Sequence, residues 1–429
     1  MRLTIDKLAK ISSATVCFDG ITVVAGANNT GKSTVGKALW AMFNAFYNLD
    51  ARIFDARMRK YLDLLEEYAD DLVYDEEIED LIRRLAKREI SIVALREKIE
   101  GKLSLNDEEL DVDKLMSRIN EVSELSDEDI KCQEVLNRIA KVFHSQCASY
   151  LFAGTYPIFE LEIKKNILRL EVTRGMPKCI FGVRLNHKAF YIDTPDSLLD
   201  LRYMSSRRFF LGWGRGSSLS WSLVEGVMEK MREKEDGARQ GDSSAVDDLL
   251  IKRKFENIEG RLKKLMGGTL AYMKGKGLVF IDDLFPDSPL RLDNLSQGIK
   301  AMAMLQVAFM NGTIGDYDIL VLDEPEIHLH PKWQIKYAEF IVLLQKTFNL
   351  TVLLTSHSPD FVQAIRLYSM KHGVAGRLNG YLSKVAEDGS VTMDLVSDEG
   401  WDNIFETFGS GFDELMNLRL ELEGVAADA

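Results

Sequence analysis

The sequence GANNTGKS at residues 26–33 decides the fold, because it is a complete G-x-x-x-x-G-K-S pattern in a fitting context. The apolar run ITVVA at 21–25 precedes it and predicts a buried central strand, and residues 33–47 predict an amphipathic helix. Glycines let the backbone wrap closely around phosphate oxygens, and a helix N-terminus attracts anions. The stretch therefore predicts a phosphate-binding loop between a strand and a helix.

Two side chains of this loop suit a nucleotide bound with its metal. Lys32 would place a positive charge on the β- and γ-phosphates, and Ser33 would offer its hydroxyl to magnesium. The predicted ligands are therefore ATP and Mg²⁺. The loop residues predicted to contact the nucleotide are Gly26, Asn28, Asn29, Thr30, Gly31, Lys32, Ser33 and Thr34.

A second apolar run, ILVL at 319–322, ends in Asp323 and Glu324. Together with the Gly-rich loop, this pair predicts that Asp323 holds magnesium through water and that Glu324 polarises the attacking water as a general base. Two carboxylates at a strand end can also belong to an ordinary turn. The presence of the Gly-rich loop at 26–33 in the same chain favours the functional interpretation.

Two further signals follow the same chain order. A third apolar strand ends in TSHSP at 355–359, where His357 is placed to sense the γ-phosphate. Before the acidic pair, Ser296 and Gly298 open a helix. A lone histidine is usually structural, and Ser-x-Gly before a helix is by itself only a helix cap. The order loop, Ser-x-Gly, acidic pair and histidine resembles that of an ABC ATPase head, and this resemblance implies that both serve the nucleotide.

The bulk composition limits the remaining possibilities. The chain of 429 residues is 46% hydrophobic and 28% charged, which allows a sizeable core in more than one lobe. Its net charge of -13 argues against nucleic acid bound over the whole surface, although a local basic patch would suffice. DNA is therefore a possible partner only. The two candidate patches, each also typical of a solvated helix face, are Arg202, Arg207 and Arg208, and Lys230, Arg232 and Lys234.

Cysteine usage and hydropathy predict a cytoplasmic protein. The four cysteines form no C-x-x-C pair and match no zinc spacing, so they are predicted to be reduced thiols. The first residues carry no signal-peptide pattern, and no apolar run approaches the about 18 residues of a membrane span. The cysteines are Cys17, Cys132, Cys147 and Cys179.

The hydrophobic periodicity divides the chain into five parts. Residues 51–145 have apolar side chains at every third or fourth position, which predicts a helical insertion. This insertion is either a protruding arm or a subdomain packed on the part of the chain that carries the Gly-rich loop, called the head below. The predicted parts are the N-terminal part of an ATPase head (1–50), the helical insertion (51–145), an antiparallel β layer of the head (146–196), a helical region with a mobile loop (197–268), and the C-terminal part of the head (269–429).

With these motifs in place, the sequence resembles ABC-type ATPases, and among them the SMC-like and OLD-like AAA family ATPases. The string DEPEIHLHP at 323–331 is particularly similar to theirs. The resemblance implies an α/β fold: an ABC-type P-loop head with a mixed sheet, flanking helices, an antiparallel β layer and inserted helical subdomains. The sequence differs from those of transporters in two ways. It lacks their double glycine and glutamine around Gly298, and it has His330 where they carry an aspartate.

The resemblance also implies a mechanism. Two heads pack face to face as a homodimer, or as a higher homo-oligomer, and each ATP lies between the Gly-rich loop of one chain and Ser296 and Gly298 of the other. ATP then holds the heads together and hydrolysis releases them, so the site acts as a switch.

Three functions remain open on these grounds. The chain is similar to the ATPase subunits of bacterial anti-phage systems (Septu, PARIS and retron-associated), which work with a separate nuclease effector. The alternative is a DNA-repair or chromosome ATPase of the RecF or SMC type. A transporter's nucleotide-binding subunit is the remote alternative, because Gly31 and Ser296 are far apart. No nuclease motif is found, so ATP hydrolysis is the predicted activity.

Overall fold

The computed structural model describes residues 1–103, 111–147, 151–194, 223–227, 245–273 and 277–397, together with residues 230, 400, 401 and 404. Within that part, hydrogen bonds join eleven strands into one mixed sheet and three strands into a small second sheet. The strands are β1 (Arg2–Leu8), β2 (Ile11–Cys17), β3 (Ile21–Ala25), β4 (Ile158–Ile163), β5 (Asn166–Glu171), β6 (Lys178–Phe181), β7 (Ala189–Ile192), β8 (Gly268–Met273), β9 (Gly277–Asp282), β10 (Leu290–Arg291), β11 (Ile319–Asp323), β12 (Thr351–Ser356), β13 (Leu378–Val385) and β14 (Val391–Leu395).

One half of the large sheet is parallel and carries the phosphate loop. Its order is β13-β3-β12-β11-β7, and every neighbouring pair runs in the same direction. Strand β3 is buried along its whole length, as an apolar strand covered on both faces should be. The expected helix follows the loop as α1 (Lys32–Phe46).

The other half is antiparallel, in the order β6-β5-β4-β1-β2, and β14 joins it to the parallel half. The antiparallel strands that the sequence predicts are thus hydrogen-bonded into the same sheet. One strand was assigned wrongly: residues 189–192 do not continue the antiparallel layer, because β7 pairs with β11 in parallel. All four residues of β7 are buried, which is typical of a parallel strand. In so short a run, the sequence does not distinguish an apolar buried strand from an alternating one.

The helices flank the sheet and form the insertion. After α1 come α2 (Leu49–Tyr68), α3 (Glu76–Ala86), α4 (Ile92–Leu103), α5 (Val112–Glu124), α6 (Asp127–Val142), α7 (Ala245–Met266), α8 (Gln297–Met310), α9 (Pro331–Phe348) and α10 (Pro359–Lys371). The arrangement is an α/β fold with a large mixed sheet, flanking helices and inserted helices, as the sequence predicts.

The helical insertion has a core of its own. Buried side chains of α2 to α5, such as Leu65, Ile82 and Leu115, form one apolar cluster. Helix α6 instead contributes Val135 and Ile139 to the cluster beneath the sheet. Four helices therefore form a subdomain, while the fifth packs on the head beside α1. The exact boundaries of the five predicted parts stay a prediction.

The prediction of four reduced thiols was wrong for two cysteines. Cys132 of α6 and Cys179 of β6 form a disulfide, with their Cα atoms 5.6 Å apart. Their separation of 47 residues gave no sequence signal, because the pairing depends on α6 lying against the edge of the sheet. Cys17 and Cys147 are free, and burial raises the pKa of the Cys147 thiol to about 11.

Several expectations fall outside the described residues. These are the arginine patch at 202–208, Arg232 and Lys234 of the second patch, and the mobile loop expected within the region 197–268, at 234–244. Strands β8 and β9 pair antiparallel within the small second sheet. Of the helices described, none combines the length and the apolar character that a membrane crossing requires.

Candidate nucleotide site

Three neighbouring parallel strands bring the predicted motifs to one edge of the sheet. Strand β12 lies between β3 and β11, and its Thr355 is level with Val24 on one side and Asp323 on the other. The carboxyl ends of parallel strands meet at the same edge, where ligands of open α/β sheets bind. The Gly-rich loop, the acidic pair and His357 are therefore neighbours in space.

The Gly-rich loop has the backbone that its sequence demands. Gly31 has a φ of 75° and Asn29 a φ of 63°, a left-handed region that suits these two residue types. Gly26 has a φ of 152°, and a Cβ there would overlap the Ser383 hydroxyl of β13. The loop thus passes so close to the neighbouring strand that only glycine fits.

Thr30 fixes the loop from within. Its hydroxyl donates to Ala27 O at 2.7 Å and lies 2.6 Å from Ser383 Oγ. A hydroxyl has one proton, so the Ser383 hydroxyl donates to Thr30. Asn28 and Asn29 are exposed at the top of the loop, while Ser33 and Thr34 are half-buried at the start of α1.

Lys32 lies beneath the loop and is 3% exposed. Its ammonium donates to Ala27 O at 2.8 Å and is 3.3 Å from Glu324 Oε1. A buried charge is stable only when it is paired and hydrogen-bonded, and these two oxygens meet that need in the free protein. The lysine is thus held directly between the phosphate loop and the predicted general base.

Asp323 is oriented by two hydroxyl groups. Tyr191 of β7 donates to its Oδ2 at 2.6 Å, and Thr355 donates to its Oδ1 at 2.5 Å. Burial, and then the charge of Asp323, raise the pKa of the Tyr191 phenol, so it remains a donor. Each carboxylate oxygen keeps a lone pair for another partner.

Glu324 has strained backbone geometry with a φ of 47°. Its N–H donates to both Thr355 O and Thr355 Oγ1, at 3.1 and 3.0 Å, which stabilises this conformation. Its side chain is 21% exposed, so water can reach the carboxylate. Strained non-glycine residues concentrate at functional sites, which fits the role predicted for Glu324.

His357 lies beside two carboxyl groups. Its Nδ1 is 3.5 Å from Glu324 Oε2 and 3.9 Å from Glu326 Oε1, and its side chain is 38% exposed. Glu326 is 2% exposed and accepts hydrogen bonds from Ser356 Oγ at 2.6 Å and from His357 N at 3.2 Å. Burial raises the pKa of the Glu326 carboxyl.

Ser296 and Gly298 have local partners in this single chain. Ser296 caps α8 by accepting from Ile299 N at 3.4 Å, so the helix-cap reading of this serine is confirmed. A Cβ on Gly298 would lie 3.0 Å from two ring atoms of Trp333, which belongs to α9. A side chain at this position would therefore require the Trp333 ring to shift by a few tenths of an ångström. Any contact with a nucleotide in a second chain stays a proposal.

The residues present fit a magnesium nucleotide. Mg²⁺ takes few protein ligands, keeps several waters and prefers hydroxyl, carboxylate and phosphate oxygens. Ser33 at the first turn of α1 offers a hydroxyl, and Asp323 at the end of β11 offers a carboxylate whose orientation is fixed. These two residues would hold the ion, through water in the case of Asp323.

Some partners of the site escaped the sequence reasoning. Four residues that contact the predicted site residues were not themselves predicted to belong to the site. They are Tyr191, Thr355, Glu326 and Ser383. Thr355 and Glu326 stand within the quoted motif strings, so their positions could have been noticed. Tyr191 and Ser383 come from strands whose place in the sheet only the structure gives.

Comparison with known proteins supports an ATPase. Residues 225–362 match the family model described as AAA ATPase domain, so about a third of the chain is similar to that family. An 83-residue segment is 34% identical to a protein named Retron Vc95 probable ATPase from Vibrio cholerae serotype O1 biovar El Tor. That segment covers 17% of this chain and 16% of that protein.

Solved structures of SMC head domains align with most of the chain at low similarity. A head bound to the C-winged helix domain of ScpA has 13% identity and a TM-score of 0.43, covering 93% of this chain and 98% of that one. The SMC head domain from Thermotoga maritima has 13% identity and a TM-score of 0.39, covering 92% and 98%. The fold assignment here rests on the strand order and the loop of this chain.

Proposed function

We propose that this chain is a dimeric, ATP-hydrolysing switch, and that it serves in the cytoplasm as the ATPase subunit of a bacterial anti-phage system with a separate nuclease effector. The AAA ATPase match supports the reaction. The geometry that carries the proposal is the pair formed by buried Lys32 and Glu324, 3.3 Å apart at the end of three parallel strands.

The residues divide the work of hydrolysis. Phosphate oxygens of ATP would take over the Lys32 ammonium, which now binds Ala27 O and Glu324. Glu324 would then be free to accept a proton from the attacking water. Bound magnesium would neutralise phosphate charge, and Ser33 and Asp323 would hold it. His357, next to Glu324, would contact the γ-phosphate and respond to its loss.

The switch depends on a second copy of the chain. In the proposed dimer, Ser296 and the N-terminus of α8 face the γ-phosphate bound by the partner, where the helix end favours negative charge. Hydrolysis removes that phosphate and with it the contact between the heads. ATP thus controls assembly.

The defence role draws its support from the partial match to a protein named as a retron ATPase. Because only 16% of that protein is matched, its wider role and partners are part of the proposal here.

The experiment that tests the defence role counts phage plaques on cells that carry the native gene with its neighbouring genes. These cells are compared with cells in which the same locus carries Lys32→Ala. Loss of protection supports the proposal. Unchanged plating, together with ATP turnover stimulated by DNA, would favour the repair or chromosome alternative.

Phosphate release by the purified protein tests the reaction itself. Glu324→Gln should lower turnover about 100-fold or more while leaving ATP binding intact, because general-base catalysis contributes that much. Lys32→Ala should weaken binding. Lys37→Ala changes a lysine on the same helix that is not part of the site and should match the wild type. Equal turnover by all four proteins would contradict the assignment.

A further inference from the structure

Tyr191 reaches the acidic strand end from the neighbouring strand. In the parallel pairing of β7 with β11, Tyr191 is level with Val321. Side chains alternate along a strand, so Tyr191 is on the same face as both Val321 and Asp323. The ring therefore extends along β11 from one residue to the next on that face, and its hydroxyl ends 2.6 Å from Asp323 Oδ2.

Helix α1 holds the tyrosine ring in this place. The ring of Trp40 packs edge-on against it, with centroids 6.2 Å apart. A Cβ on Gly36 would lie 3.5 Å from Tyr191 Cε2 and 3.0 Å from Val321 Cγ1, so the absence of a side chain there makes room for both. The same helix begins with Lys32 and Ser33, so one helix both follows the phosphate loop and packs against the Tyr191 ring.

Two donors fix the carboxylate of Asp323 in one orientation. Tyr191 binds one oxygen and Thr355 the other, so rotation of the carboxylate would break both hydrogen bonds. We propose that Tyr191 is a positioning residue, which orients Asp323 for the magnesium ion of the nucleotide. Tyr191 touches neither nucleotide nor ion itself and acts through Asp323. Partners of metal-binding carboxylates commonly have this effect.

The inference rests on the proposed function, and magnesium dependence tests it separately. In Tyr191→Phe the ring and its packing stay while the hydroxyl is lost. The Mg²⁺ concentration that half-saturates ATP hydrolysis should rise about 10-fold, the lower end of the range for such partners. ATP binding without magnesium, measured by calorimetry, should equal that of the wild type, because Lys32 and the loop are unchanged.

A matched control is available in the helical insertion. Tyr61 is 1% exposed, and its hydroxyl is 2.9 Å from Ser123 Oγ. Tyr61→Phe likewise removes the hydroxyl of a buried tyrosine that is hydrogen-bonded to another side chain, and it should leave the magnesium dependence unchanged.

The outcomes separate the two proposals. A wild type that does not bind ATP refutes the proposed function and this inference together. If the wild type binds ATP and Tyr191→Phe keeps its magnesium dependence, only the inference is refuted. If Tyr191→Phe weakens ATP binding equally with and without magnesium, the tyrosine is merely structural and the inference is also refuted.

Discussion

Removal of the Glu326 carboxyl tests how the loop bearing His357 is held. Glu326→Ala leaves the Ser356 hydroxyl, which is fully buried, and the His357 N–H without their acceptor. Each buried donor left unsatisfied costs about 1–3 kcal/mol. Oε2 of Glu326 is itself a buried atom for which the described residues supply no partner, and its removal offsets part of that cost. The expected loss of unfolding free energy is therefore about 2–4 kcal/mol.

Glu326→Gln is the control of matched size. Its amide oxygen can still accept from Ser356 and from the His357 backbone, so the expected loss is about 1 kcal/mol or less. Urea unfolding followed by tryptophan fluorescence measures the unfolding free energy of both variants. The comparison requires that this free energy falls with urea concentration at the same slope in each variant. The reasoning is refuted if the alanine variant is as stable as the wild type, or if glutamine costs as much as alanine.

Three further predictions concern Glu326 and two contacts elsewhere in the fold. Burial raises the pKa of Glu326 above its ordinary 4.5, so the folded state binds the proton more tightly than the unfolded state does. As the pH rises from 4.5 through this raised pKa, the unfolding free energy of the wild type should fall relative to that of Glu326→Gln. A difference between the two proteins that does not depend on pH would contradict this. Gly298→Ala forces the Trp333 ring to move and should cost about 1–3 kcal/mol with a shift in tryptophan emission; an unshifted spectrum would argue against the contact. Ser383→Ala removes the donor to Thr30 and should lower stability by about 1 kcal/mol and weaken ATP binding, measured by calorimetry, whereas unchanged binding would show that β13 does not support the loop.

The sequence predicted the elements whose signals are local. The loop at 26–33 and the apolar run before it defined β3 and α1, because both phosphate binding and strand burial are visible within a few residues. The run ending in Asp323 gave β11 for the same reason. The placement of these motifs at one edge became visible in the structure, where β3, β12 and β11 are parallel neighbours.

Features that depend on pairing between distant strands were not predictable. Tyr191 was assigned to an antiparallel layer, although β7 pairs with β11, because four apolar residues show no period that identifies their neighbour. The contact of Ser383 with Thr30 spans 353 residues of sequence and depends on β13 lying beside β3. The disulfide between Cys132 and Cys179 likewise requires α6 to lie at the sheet edge, which no spacing rule reveals.

The mass of Glu324→Gln in solution tests the central claim most directly. Light scattering with and without Mg·ATP should show a rise from the 48.6 kDa of one chain to twice that value, because ATP is bound and not hydrolysed. Ser296→Arg in the same background should abolish the rise, whereas Ser91→Arg adds the same charge on the exposed insertion and should preserve it. A mass that is the same with and without Mg·ATP would contradict the ATP-dependent dimer.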